Sequence, residues 1–294
     1  MKHALTLIGN SAKPLKPEHL DAARAIVGAA ETVMLDEGLA ADLLFEHENA
    51  VALEPALREA LAPEGLDLVL QPANDRRKKL LIADMDSTII QQECIDELAE
   101  ELGLRARISE ITERAMRGEI SFEPALCERV GLLKGLALDK LQHVFDTRIE
   151  LTPGARQLVQ TMRAHGAATA LVSGGFTFFT ARVAEITGFQ HQQANELHDD
   201  GAALTGTVGE PILGKEAKLA ALRGFREQYG LAVGETLAVG DGANDLAMIG
   251  EAGLGVAFHA KPAVAAAAHA RIDHGDLTAL LYLQGYKRRE FAES

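Results

Sequence analysis

The sequence predicts an α/β protein: a doubly wound parallel sheet with an inserted helical cap, preceded by a small α+β unit of ferredoxin-like order. Three observations lead there. Four short apolar bursts are separated by helical sequence, a long helical stretch divides the first two, and the first 72 residues read strand, helix, strand, strand, helix, strand.

In that first unit, residues 4–9, 32–36, 42–46 and 66–70 are short apolar runs bounded by Gly, Pro or acidic residues, which predicts strands. Residues 18–28 place Leu20, Ala23, Ile26 and Val27 at helical spacing, and 54–61 read as a second helix. The polar residues 73–79 predict an exposed linker, with the run Arg76-Arg77-Lys78-Lys79 as a solvated flank. The expected division is therefore 1–72, a linker at 73–79, and a larger unit at 80–294.

The bursts at 80–83, 168–172, 236–239 and 254–258 have the unbroken apolar character of strands buried on both faces. Residues 90–163 are mostly helical in pattern and too long for one crossover helix, so a cap inserted at about 92–155 is expected over the sheet edge. The alanine-rich stretch 260–270 reads as a packed helix.

Composition narrows the function. A net charge of −14 repels nucleic acid and anionic membranes. No apolar run approaches the roughly 18 residues of a spanning helix, and no cleavable leader is evident, so a cytoplasmic protein is expected. The two cysteines, Cys94 and Cys127, lack a metal or redox spacing, and the ten histidines are scattered.

The chemistry concentrates at strand ends. Asp84-x-Asp86-x-Thr88 sets two carboxylates beside a hydroxyl, where one can act as a nucleophile and the other as an acid and base. Taken alone, the pattern reads equally as an acidic helix cap. Ser173-Gly174-Gly175 offers a hydroxyl and backbone amides suited to phosphate oxygens. Lys218, with Lys215 as a competitor, offers positive charge. Asp241-Gly242-Ala243-Asn244-Asp245 crowds oxygen donors of the kind that hold magnesium.

This ordered set resembles the four motifs of the haloacid dehalogenase superfamily in its phosphatase form. Over most of residues 80–290 it is more closely similar to the phosphoserine phosphatase family. That likeness is carried by Glu93 after the first motif, by 115–122 and 128–130 in the cap, by Ser173 to Phe176, and by 253–258. The first 72 residues resemble, in order of elements only, the small ACT-like regulatory domains of longer bacterial members.

The resemblance implies a Mg²⁺-dependent hydrolysis of O-phospho-L-serine to L-serine and phosphate, the last step of serine biosynthesis. Asp84 is then the nucleophile and Asp86 the general acid and base. Asp84, the Asp86 backbone carbonyl and Asp241 hold the metal, with Asp245 as a further ligand or a support behind it. Ser173, Gly174, Lys218 and Asn244 bind phosphate, whereas Glu93, Arg129, Met116 and Phe122 recognise and enclose the substrate. Transfer of the phosphoryl group from phosphoserine to homoserine, or action on another small monoester, stands as the alternative. A signalling receiver is disfavoured by the cap. The amino-terminal unit is expected to form a homodimer contact, bind an amino-acid effector, or support the fold.

Overall fold

The computed structural model describes residues 1–28, 31–116 and 119–293, apart from the side chains of Ala62 and Met116. The chain opens with β1 (Lys2–Ile8), α1 (Pro17–Val27), β2 (Glu31–Asp36), β3 (Ala40–Glu46), α2 (Glu54–Leu61) and β4 (Asp67–Pro72). The strands make an antiparallel sheet in the order β2-β3-β1-β4, the ferredoxin-like arrangement.

Alternation along the strands divides its two faces. Leu5, Leu7, Leu43, Phe45 and Leu68 pack with Ala23, Val27, Leu57 and Leu61 of the two helices. The opposite face is covered as well: Ile8, Ala40 and Val69 join the larger apolar core that contains Leu280 and Leu281.

Within residues 73–79, Asn74, Asp75, Arg77 and Lys79 are exposed as expected of a linker, but two of the four cations expected to be a solvated flank are not. Arg76 and Lys78 are buried. Arg76 pairs with Asp42 at 2.6 Å and donates to Thr6 Oγ1 and to the carbonyls of Tyr282 and Leu283. The Lys78 ammonium donates to the carbonyls of Asp75 and Gly234. Burial of these cations is tolerable because their N–H groups find acceptors.

Beyond them lie β5 (Leu80–Ala83) and the helical insertion α3 (Cys94–Glu101), α4 (Arg105–Met116), α5 (Phe122–Leu132) and α6 (Leu138–Arg148). Then follow α7 (Ala155–Ala164), β6 (Ala168–Phe176), α8 (Thr177–Thr187), β7 (His191–Asn195) and the hairpin β8 (Leu197–Asp199) and β9 (Leu204–Val208). The chain continues through α9 (Lys215–Gln228), β10 (Thr236–Gly240), α10 (Leu246–Glu251), β11 (Leu254–Phe258), α11 (Pro262–Ala267), β12 (Ala270–Ile272) and α12 (Ala279–Leu283).

Six of these strands form a parallel sheet in the order β12-β11-β10-β5-β6-β7. Leu81, Ala83 and Val239 face one core with Leu158, Val159, Phe179 and Val183 from α7 and α8. Leu80, Ile82 and Ala238 face the other with Leu222, Phe225 and Met248 from α9 and α10. The chain moves outward from β5 through β6 to β7, then returns to β10 and moves the other way. The reversal opens a crevice between the carboxyl ends of β5 and β10, where ligands bind in such sheets.

The alanine-rich stretch is not one helix: α11 ends at Ala267 and β12 follows. No helix among the described residues is long and apolar enough to cross a membrane.

Candidate active site

Asp84 leaves the end of β5 at the crevice, and its N–H still donates to the Val239 carbonyl of β10. The residue is 4% exposed, and its carboxyl accepts from the Met85 N–H at 2.8 Å. Lys218, on the first turn of α9 and 2% exposed, lies 2.7 Å from both Asp84 and Asp245. Lys215 instead points to solvent beside Glu216, which resolves the competition between the two lysines.

Burial alone would drive the proton off Lys218, but the carboxylates of Asp84 and Asp245 overcome it and hold the ammonium above its usual range. Burial and the Asp245 charge push the Asp84 carboxyl well up, against the opposing pull of Lys218. Asp241, at the end of β10, is pushed up to about 6 by burial and then by Asp245.

Carboxylate oxygens of Asp84, Asp241 and Asp245 all lie within 4.8 Å of one another. Three carboxylates against the single ammonium of Lys218 leave two negative charges, and the donors are all hard oxygens. Such a set fits a magnesium ion. Asp245 is already committed on both oxygens, accepting from Lys218 on Oδ1 and from the Gly242 N–H at 3.0 Å on Oδ2. Asn244 sits half-buried in the same turn.

Asp86 is held from two sides. Cys94 N–H donates to Oδ1 at 2.9 Å and Ser173 Oγ donates to Oδ2 at 3.2 Å. Burial raises its pKa, and these two bonds work against the rise. The Ser173 hydroxyl in turn accepts from the Gly175 N–H at 2.8 Å, which closes the bulge near the end of β6. Gly175 must lack a side chain, since a Cβ there would stand 2.7 Å from the Asp86 carboxyl.

Glu93 precedes α3 and accepts from Ser87 Oγ at 2.7 Å. Ser87 has φ +54°, a left-handed conformation uncommon outside glycine, and this turn brings Glu93 back towards Asp86. Solvent reaches Glu93, yet the protein around it and the Asp86 charge push its carboxyl up to about 7. Arg129 on α5 is half-buried, donating to the Ala125 carbonyl and to Thr112 Oγ1 of α4. Burial lowers its pKa, while the charges of Glu93, Asp96 and Asp86 oppose that shift. Phe122, at the start of α5, is 36% exposed and leans on Gly174 and Gly214. The side chain of Met116 lies outside the described residues.

The model of the haloacid dehalogenase-like hydrolases matches residues 81–250, more than half of the chain. The chain belongs to that family. A phosphoserine phosphatase of Polaromonas sp. is 46% identical over 70% of this chain and 89% of its own. Among solved structures, a probable phosphoserine phosphatase from Vibrio cholerae is 34% identical with a TM-score of 0.79, covering 96% of this chain and 86% of that one. A phosphoserine phosphatase solved as an analogue of its phospho-aspartyl intermediate is 39% identical with a TM-score of 0.65, over 70% of this chain and 98% of that one.

The structure thus gathers Asp84, Asp86, Ser173, Lys218, Asp241 and Asp245 at one sheet edge, with Glu93 and Arg129 close by. Sequence reasoning missed Ser87, Thr112 and Asn195. Ser87 lay inside the first motif but was passed over as a spacer, whereas the other two carry no local signal.

Proposed function

We propose that this family member hydrolyses O-phospho-L-serine to L-serine and phosphate through an aspartyl phosphate on Asp84, in the cytoplasm, as the final step of serine biosynthesis. The observation that carries the substrate assignment is that Glu93 and Arg129 both lie within electrostatic reach of Asp86. An acid and a base from different elements suit the ammonium and the carboxylate of phosphoserine. The similarity to a phosphoserine phosphatase captured as a phospho-aspartyl analogue supports the same reading.

In this mechanism Asp84 attacks phosphorus while Asp86, whose raised pKa suits an acid, gives its proton to the departing serine oxygen. Asp86 then takes a proton from the water that opens the aspartyl phosphate. Ser173, Gly174, Lys218 and Asn244 hold the phosphoryl oxygens. Asp84, Asp241 and the Asp86 backbone carbonyl would hold Mg²⁺, with Asp245 as a support that fixes Lys218 and the Gly242 turn. When bound, the metal supplies positive charge that lets a carboxylate approach an anionic phosphate.

The division into 1–72, 73–79 and 80–294 belongs to the same proposal, amended so that the exposed linker 73–79 is anchored by the buried Arg76 and Lys78. Any homodimer through the amino-terminal unit would have to use its helices or an open strand edge, because the other sheet face is filled.

A panel of phosphomonoesters assayed with Mg²⁺ tests the substrate, with hydroxylamine trapping to detect the aspartyl phosphate. The expected result is a clear preference for phosphoserine and a trapped adduct that disappears in Asp84→Asn. Equal turnover of unrelated esters would defeat the substrate assignment. Phosphorylated homoserine, formed when homoserine is added, would show transfer instead.

A further inference from the structure

Asn195, the last residue of β7, is 2% exposed and makes three side-chain hydrogen bonds. Its Nδ2 donates to the Gly174 carbonyl at 2.8 Å and to the Leu213 carbonyl at 3.2 Å. Its Oδ1 accepts from the Leu213 N–H at 2.7 Å. With Leu213 it therefore exchanges an N–H and a C=O, as a neighbouring strand would, while its other N–H reaches across to Gly174.

The reason for such a side chain lies in the sheet. Pairing of β6 with β7 breaks between Val172 and Phe176 and resumes at Phe176 opposite Asn195. Residues 173–175 bulge out of the ladder there beside Asp86, and backbone groups freed from a ladder need new partners. Asn195 supplies one to Gly174 and ties the same bulge to Leu213. The next residue, Gly214, is the N-cap of α9, the helix that carries Lys218.

Phe122 from the helical insertion lies across both tied segments. A Cβ on Gly174 would stand 3.3 Å from Phe122 Cζ, and one on Gly214 would stand 3.3 Å from Phe122 Cδ1. The two edges of one ring thus rest on two separate segments that Asn195 joins from below.

We propose that Asn195 is a positioning residue that clips the Ser173–Gly175 bulge of β6 to the Leu213–Gly214 loop and so builds the seat on which Phe122 closes the cap. The inference rests on the reading of Asp84 and its neighbours as a phosphomonoester site, and it deepens that reading. Asn195 touches no reacting atom; it acts through Gly174, Gly214 and the ring above them.

The test is a double-mutant cycle between Asn195→Ala and Phe122→Ala in the full-length protein, measured on whichever monoester the wild-type turns over fastest. A wrong substrate assignment then leaves the cycle interpretable. Each single variant is expected to lower kcat/KM by about tenfold to a hundredfold, since small misplacements near the chemistry have effects of that size. The double variant is expected to be no worse than the poorer single, because both remove the same seat. Losses that multiply would overturn the proposal and leave Asn195 a merely structural residue.

Should Asn195→Ala fail to fold, Asn195→Asp takes its place, keeping the shape and the Leu213 N–H bond but losing both donors. Gly214→Ala, which pushes on the ring without touching Asn195, is expected to slow the wild-type background and to have no further effect in Phe122→Ala.

Discussion

Glu93 is the residue whose charge most directly decides recognition in the proposed site. Crowding in the cleft and the Asp86 charge push its carboxyl up to about 7, so a fraction is neutral near neutral pH. Only the ionised form attracts an ammonium, and an acid ionises as pH rises. For phosphoserine, kcat/KM is therefore expected to climb with pH along a limb between the ordinary carboxylate range and about 7. Glu93→Gln should remove that limb and raise KM, with a smaller effect on esters that lack an ammonium. A pH–rate profile of the two proteins on both substrate types checks this, and an unchanged limb in the variant would assign it elsewhere.

Lys218 makes the complementary case. It lies 2.7 Å from Asp84 and from Asp245, all three nearly sealed from solvent. Lys218→Met would leave two carboxylates facing each other without their cation. Breaking a buried pair from one side costs about 3–5 kcal/mol. In the variant the Asp84 carboxyl, already pushed up in the wild type by burial and the Asp245 charge, loses the opposing pull of Lys218 and rises further, so the added stability deficit is largest above that raised pKa and shrinks as pH falls through it. Denaturant titrations at successively lower pH without added metal should show the gap to wild type narrowing. Turnover should be lost throughout.

At the scale of elements, the cap helices position Arg129 rather than merely carry it. Its Nε donates to Ala125 on its own helix, and Nη1 donates to Thr112 on α4 at 3.3 Å. Thr112→Val removes one hydrogen bond and is expected to raise KM for phosphoserine about two- to tenfold with little change in kcat. Steady-state kinetics decide it, and a fall in kcat alone would show that α4 serves the chemistry rather than recognition.

Elements also explain what the sequence disclosed. Strands β5, β6, β10 and β11 lie inside the sheet and are buried on both faces, so each announces itself as an apolar run. The outermost strands do not: β7 reads His-Gln-Gln-Ala-Asn, and β12 has three residues after an alanine-rich helix. Asp84, Ser173 and Asp241 were legible because each stands at the end of an apolar run, where a parallel sheet presents ligands. Asn195 was hidden for the opposite reason, at the end of a polar edge strand. The buried cations Arg76 and Lys78 were misread because their acceptors, Asp42 and the Gly234 carbonyl, lie far away in sequence.

At the scale of the molecule, the amino-terminal sheet is joined to the larger one by groups that cannot be exposed cheaply. The Asp67 carboxyl of β4 is 3% exposed and accepts the N–H groups of Asp273, His274 and Gly275. Burial raises its pKa despite those bonds. Tyr282 donates its hydroxyl to Asp36 at 2.6 Å, and Ile8, Ala40 and Val69 share a core with α12. Arg76 ties both sides, binding Asp42 and Thr6 on the sheet and the carbonyls of residues 282 and 283. Arg76→Ala would strand the Asp42 carboxylate in a buried site, with an expected loss of about 3–5 kcal/mol. Because the two sheets share one core, that loss should appear as a shift of a single unfolding transition, not as early melting of the first 72 residues alone. Chemical denaturation followed by far-ultraviolet circular dichroism and by protease susceptibility within residues 1–72 distinguishes the outcomes. Coincident midpoints support one cooperative unit, whereas early cleavage of the amino-terminal sheet with the phosphatase core intact would show that the strut at Arg76 does not couple them.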